Sequence, residues 1–247
     1  MNCLDSLLEP VNGSIASGSA RIIAVIGSGG KSTLLRALGT REVERGGSAA
    51  LATTTHFLPF EGIELVTSGD MRDVRDALGR GGIACAGTPT GDALGRLAAP
   101  TMPLEELARV AGLVVVEADG SRRLPLKAHG AHEPVVPPEA TSTVAVVGAS
   151  GFGRRLADAM HRCELACERV GCSPDDPATP ELVARVMADE MARGLIAPDV
   201  IIVNQAETGD RRRDARRFAI ALRERGCERP VFLGSVRSGK LERVDCR

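Results

Sequence analysis

The 247-residue chain has no tryptophan, no tyrosine and only five phenylalanines. Few flat faces are left on which unpaired bases could stack, so a groove for single-stranded nucleic acid is not expected. Neither sign of charge is in excess. The 31 basic and 32 acidic residues give a formal net charge of −1, and no bulk attraction to nucleic acid or to an anionic membrane surface follows. No stretch approaches the ~20 apolar residues that cross a bilayer. The first ten residues carry Asp5 and Glu9 and lack the charged-then-apolar order of a secretion signal, so a cytoplasmic protein is expected. The seven cysteines form no Cys-x-x-Cys pair and read as reduced thiols. Cys163, Cys167 and Cys172 follow His161 closely, but their spacing fits no common zinc pattern. Packing along a helix face is the plainer account.

What is present is a β-branched run, Ile22 to Ile26, that ends in Gly27-Ser28-Gly29-Gly30 and passes into Lys31-Ser32-Thr33 and a segment with Leu34, Leu35 and Leu38. Strand, glycine loop and helix in that order form the context of a phosphate-binding loop. Glycines let backbone N–H groups turn inward. The helix N-terminus adds partial positive charge, Lys31 adds a full one, and Ser32 offers a hydroxyl to Mg²⁺. The longer form of the pattern requires glycine at position 25, where Val25 stands. The shorter Gly-x-x-Gly-Lys-Ser resembles the loop of Mur-ligase-type nucleotide enzymes more than that of small GTPases.

Apolar runs at 48–53, 113–117, 143–147, 200–203 and 230–233 alternate with helical patterns, with shorter buried strands at 63–67 and 82–86. The alternation predicts an α/β fold: one P-loop NTPase-like domain over 1–247, with a mostly parallel, doubly wound sheet and helices on both faces. Residues 4–18 read as a short helix and a Gly/Ser-rich approach, so that 1–19 precede the first strand. Residues 121–138 read as an extended loop or hairpin that covers the site, and 154–170 and 178–194 as helices. The arginine-rich segment 211–217 reads as the solvated face of a helix.

A phosphate loop needs an acid at the end of a neighbouring strand. Glu117 and Asp119 alternate at the end of 113–117 and are expected on one side of the sheet, one to hold Mg²⁺ and the other to orient a nucleophile. Thr53-Thr54-Thr55-His56 ends the second strand at the carboxyl edge, where ligands of open α/β sheets bind. Thr55 could join the Mg²⁺ shell, and His56 could touch phosphate or move a proton. Asn204-Gln205-Ala206-Glu207 echoes a guanine-reading motif, with Gln205 and Glu207 in place of its lysine and aspartate. An ordinary strand-end turn is the alternative. ATP and GTP both remain open as the nucleotide, bound through Gly27, Ser28, Gly29, Gly30, Lys31, Ser32 and Thr33.

Several segments together resemble the YqeC family, accessory proteins of selenium-dependent molybdenum hydroxylases. They are G-S-G-G-K-S-T at 27–33, T-T-T-H at 53–56, E-A-D-G-S-R-R-L-P-L-K-A at 117–128, H-E-P-V-V-P at 132–137, H-R-C-E at 161–164 and V-N-Q-A at 203–206. The resemblance implies a nucleotide-dependent role in maturing a selenium-containing cofactor. It adds Lys127, His132, Glu133, His161 and Arg162 to the candidates, with Lys127 or Arg162 stabilising transferred charge. His129 stands where the family usually has proline. Partners implied are an unidentified selenium or cofactor species and a molybdenum hydroxylase subunit, with no nucleic acid and no membrane. The expected activity is Mg²⁺-dependent hydrolysis of ATP or GTP, or phosphoryl transfer from it. A slow, nucleotide-gated chaperone that delivers selenium or cofactor is the alternative.

Overall fold

The computed structural model describes residues 3–8 and 21–244. Nine strands form one sheet: β1 (Arg21–Gly27), β2 (Ser48–Thr53), β3 (Glu64–Val66), β4 (Ile83–Ala86), β5 (Gly112–Glu117), β6 (Ser142–Gly148), β7 (Val200–Asn204), β8 (Val231–Ser235) and β9 (Lys240–Arg243). Their spatial order is β9-β8-β7-β6-β1-β5-β2-β4-β3. All neighbours are parallel except β8 and β9, which run antiparallel. The reading of an α/β fold with a mostly parallel sheet holds; β9 is an edge strand the sequence pattern does not announce, and the short Val236–Gly239 link permits only a reversal there, not a parallel crossover.

β1 lies near the centre and shows why both faces are covered. Ile22, Ala24 and Ile26 enter the apolar clusters on one face, while Ile23 and Val25 enter the cluster on the other. That is the two-residue period of a strand buried on both sides. The second face is covered by α1 (Cys3–Leu8) and α2 (Lys31–Glu44), through Leu4, Leu7, Leu34, Leu35 and Leu38. The first is covered by α3 (Met71–Gly81) and α4 (Leu104–Ala111) over one half. Over the other half lie α5 (Leu156–Ala159), α6 (Cys163–Val170), α7 (Pro180–Ala192) and α8 (Gly209–Arg223). Local signals set the helix starts: the side chains of Asp70, Thr179 and Thr208 accept N-terminal amides, and Pro180 opens α7.

Two expectations need correction. The helix expected over 154–170 is broken, because Met160–His161 pair in parallel with Leu126–Lys127 and Arg162 takes a left-handed φ of 61° before α6 starts. The same pairing shows that 121–138 does not fold back on itself as a hairpin. Residues 56–57, 88–89 and 97–98 form a small antiparallel sheet that the sequence pattern does not announce. Of the short helix and Gly/Ser-rich approach expected over 4–18, the helix stands at Cys3–Leu8 and the approach lies outside the described residues.

The arginine-rich face of α8 is matched by acids. Arg212 and Arg216 meet Glu242, Arg213 meets Asp210, and Arg217 meets Glu181 and Asp214.

Candidate functional site

β1 stops at Gly27 and the chain turns through Ser28-Gly29-Gly30 into α2. Gly27, Gly29 and Gly30 all have positive φ, of 90°, 87° and 121°. At Gly29 a Cβ would run into the backbone of Gly148, and at Gly30 into the Asn204 amide. Gly30 caps α2 with no side-chain hydrogen bond. The first-turn amides of α2 have no carbonyl four residues back to pair with, and they carry the positive end of the helix dipole.

Lys31 is 4% exposed, and its Nζ lies over the loop, donating to Gly27 O at 2.8 Å. Two carboxylates converge on it: Asp119 Oδ1 at 3.0 Å and Glu117 Oε1 at 3.7 Å. Their surroundings differ. Glu117 ends β5 and opens onto a cavity, where its Oε2 accepts from Ser32 Oγ at 3.1 Å. Burial pushes its carboxyl above the ordinary glutamate range, against the pull of Lys31 and Ser32. Asp119 is wholly buried beneath the loop. Its Oδ2 accepts from Gly27 N at 2.8 Å and meets His129 Nε2 at 2.9 Å and Lys127 Nζ at 3.2 Å. Burial works against the charge, but His129, Lys31 and Lys127 outweigh it and hold the carboxyl well below its usual range.

The charged floor continues away from the loop. His129 Nδ1 meets Glu190 Oε2 at 2.8 Å, and the His129 amide donates to Glu190 Oε1 at 2.6 Å. Arg169 donates to His129 O at 2.7 Å and lies 3.7 Å from Glu190. Burial alone would lower the imidazole's pKa, yet the two carboxylates raise it above the usual value. Lys127 also binds Gly120 O and Glu133, and Arg162 grips Glu133 through two contacts of 3.0 Å. Lys127 and Arg162 together hold the Glu133 carboxyl low despite its partial burial.

A cavity of about 1120 Å³ opens over the loop at the carboxyl edge of the sheet. Of the candidates named from sequence, Gly29, Gly30, Lys31, Ser32 and Thr33 line its floor. Thr55, His56, Glu117, Glu133, His161, Arg162 and Gln205 line its walls. Thr55 is fixed by its amide, which donates to Thr53 Oγ1 at 3.0 Å, while Thr53 in turn donates to Glu117 O at 2.8 Å. Burial and the cations Lys127, Arg162 and Arg122 lower the His161 pKa, so its imidazole faces the cavity neutral at pH 7.

Other candidates lie elsewhere. Gly27, Ser28, Asp119 and Lys127 lie beneath the cavity rather than in its wall. His132 and Glu207 are exposed and outside it. Asn204 is 4% exposed; it donates to Gly29 O at 2.9 Å and accepts from Val236 N at 2.9 Å. Its amide thus clamps the loop to the chain after β8. Cys163, Cys167 and Cys172 pack in or against the apolar cluster under α6 and α7. The Cys167 thiol is pushed up to about 12, by burial first and by Cys172 Sγ, 3.2 Å away, second.

Glu190 and Arg169 were not named from sequence. Glu190 had a signal: it falls at the next position of the buried α7 stripe after Val183, Val186 and Met187. An acid on an apolar stripe implies a buried partner. Arg169 carries no comparable mark.

A profile of the YqeC family matches residues 23–164, more than half of the chain. The chain belongs to the YqeC family. A relative from Escherichia coli strain K12, described as the uncharacterized protein YqeC, is 29% identical over 159 residues, covering 62% of each chain. The chain thus spans less than two thirds of that relative's length. Among solved structures, this YqeC-family chain is similar to chloroplast FtsY of Physcomitrella patens, with a TM-score of 0.46 and 12% identity, over 98% of this chain and 70% of that one. It is also similar to the signal recognition particle 54 kDa protein of Aeropyrum pernix K1, solved with GDP. There the TM-score is 0.41 and the identity 18%, over 96% of this chain and 46% of that one. No helix among the described residues is long and apolar enough to cross a membrane.

Proposed function

We propose that this chain binds a nucleoside triphosphate, ATP or GTP, at Gly27–Thr33 and hydrolyses it or transfers its terminal phosphoryl group. The observation that carries this reading is Lys31, buried over a left-handed glycine loop beside the uncapped start of α2, at the floor of a large cavity. Those groups favour a polyphosphate: the first amides of α2 would donate to its oxygens, the helix dipole favours their charge, and the Lys31 ammonium supplies a full charge. Asp119 holds Lys31 in place and fixes the loop through the Gly27 amide.

The oxygen donors fit a magnesium ion. The Ser32 hydroxyl and the Glu117 carboxylate lie 3.1 Å apart at the loop mouth, and Glu117 is a buried acid whose lysine partner sits closer to Asp119. Ser32 and Glu117 would hold it, with Thr55 in the wall of the same cavity, and the charge it would supply there would offset that of the phosphate oxygens. His56, exposed at the rim, and the neutral His161 are the groups placed to take a proton from an attacking hydroxyl.

The wider role we propose is maturation of a selenium-dependent molybdenum hydroxylase, acting on a selenium or cofactor species and meeting a hydroxylase subunit. The support is the resemblance in the six segments and membership of the family. The test is phosphate release from ATP and from GTP with Mg²⁺, with and without selenide, for the wild type and Lys31→Ala. The variant should lose roughly 10²–10³-fold in turnover, the usual cost of deleting one preorganised charge donor. Undiminished turnover in Lys31→Ala would remove the assignment.

A further inference from the structure

The cavity lies just past the usual range for one ligand. Single-ligand sites occupy roughly 300–1,000 Å³, and this one has about 1120 Å³. Its charge is unbalanced in the same sense. Six cationic side chains line it (Lys31, Arg96, Arg122, Arg123, Arg154 and Arg162) against three carboxylates, Glu117, Glu133 and Glu164. Lys31 and Arg162 already face acids, and Arg96 is paired with Asp92. Arg154 makes one bond, to the carbonyl of Asp158, which leaves its charge uncompensated. Arg122 and Arg123 make no side-chain hydrogen bond or ion pair with any described residue. Arg122, Arg123 and Arg154 thus face the cavity with no carboxylate partner among the described residues.

The backbone supports the same reading. Among the described residues, four that are not glycine have positive φ: Arg122 at 48°, Arg123 at 61°, Arg162 at 61° and Gln205 at 65°. All four line this cavity. Left-handed backbone at residues other than glycine is strained, and such strain gathers at ligand clamps. The turn that carries Arg122 and Arg123 is fastened at both ends: Lys127 binds Gly120 O, and Ser28 of the glycine loop binds Leu124 O. The two arginines are therefore held beside the phosphate loop, while Arg154 and His161 approach from separate segments.

We infer that Arg122, Arg123 and Arg154, with His161, form a second anion site for a small molecule bearing a phosphate monoester, bound beside the nucleotide in the same cavity. Several guanidinium groups suit the dianion of a monoester, since each offers forked donors to its oxygens. The neutral His161 imidazole offers one donor and one acceptor to a hydroxyl of the same molecule. The inference deepens the nucleotide reading by naming a second substrate class, but its site does not include Lys31 or the glycine loop.

Calorimetric titration with ribose 5-phosphate, with and without a saturating non-hydrolysable ATP or GTP analogue, tests it. The wild type should bind ribose 5-phosphate in both conditions. Arg122→Ala/Arg123→Ala should weaken that binding tenfold or more and change analogue affinity less than threefold. Lys31→Ala should do the reverse, and Arg122→Lys/Arg123→Lys should recover part of the monoester binding. Both arginines are exposed, and an unchanged melting temperature confirms that the variants fold. Three results would overturn the inference: no monoester binding by the wild type, competition between monoester and analogue, or an equal loss of analogue affinity in the arginine variant. The last would make the arginines clamps on the nucleotide's own phosphates. If the wild type binds no nucleotide yet still binds monoester through the arginines, the nucleotide reading fails and this one stands.

Discussion

Asp119→Asn removes the one anion at the centre of three cations while nearly preserving shape. In the wild type, Asp119 meets Lys31 at 3.0 Å, Lys127 at 3.2 Å and His129 at 2.9 Å, with no exposure to solvent. An asparagine oxygen can still accept from the Gly27 amide, but the charge is gone. Breaking a buried ion pair from one side costs about 3–5 kcal/mol. For a chain of this length a kcal/mol shifts the melting temperature by roughly 2–4 °C, so a fall of about 6–20 °C is expected. The effect should depend on pH. The folded-state pKa of His129 is raised above its ordinary 6.5, so its contribution is fully present below about pH 6.5 and is lost as pH rises through the raised value. Asp119 acts at the other end: its contribution is present above its ordinary 3.8 and is lost as pH falls further. In the variant His129 keeps only Glu190, so its pKa falls toward the ordinary value. The stability gap between wild type and variant should therefore narrow steadily from pH 6 to pH 9. Urea unfolding followed by circular dichroism at each pH measures it. A gap below about 1 kcal/mol at pH 6, or one that widens toward pH 9, would refute the charged-floor account.

Two further substitutions separate the loop from its support. Gly30→Ala places a Cβ at φ 121° against the Asn204 amide; a loss of about 1–3 kcal/mol in unfolding free energy, with nucleotide binding weakened at least tenfold in a filter or fluorescence assay, is expected. Asn204→Ala orphans the Gly29 carbonyl and the Val236 amide, at about 1–3 kcal/mol for each buried group. It should weaken ATP and GTP binding by the same factor, and a loss confined to GTP would restore a base-reading role.

The loop and the sheet were legible because both are local patterns. Ile22–Ile26 followed by glycines and Lys31 needs no distant residue to be read, and neither do the apolar runs at 113–117 and 143–147. Glu117 and Asp119 were also legible as a pair, but their different surroundings were not. Which of the two faces the cavity depends on Lys127 and His129, which hold Asp119 directly, and on Glu190, which holds His129 from the distant α7. His129 looked like a departure from the family's pattern; its partner lies 61 positions away on α7. The break at Met160–His161 was hidden for a similar reason. Nothing in 154–170 marks it, because the strand that claims those residues, Leu126–Lys127, lies within a segment that reads as loop.

Val25 and Asp119 together explain how the loop dispenses with the glycine of the longer pattern. Val25 is fully buried in the cluster under α2, and its carbonyl accepts from the Ala118 amide at 3.0 Å, so the strand continues through it without turning. The turn begins two residues later, where Asp119 takes the Gly27 amide and Val146 O takes that of Ser28. The short loop thus rests on a charged floor rather than on a wider curl of its own backbone. With His129 protonated, the cations Lys31, Lys127, His129, Arg162 and Arg169 outnumber the anions Glu117, Asp119, Glu133 and Glu190 by five to four. Summed over the network, the surplus of one positive charge has the sign that a polyphosphate requires. The floor that holds the short loop in shape therefore also favours the ligand proposed for it.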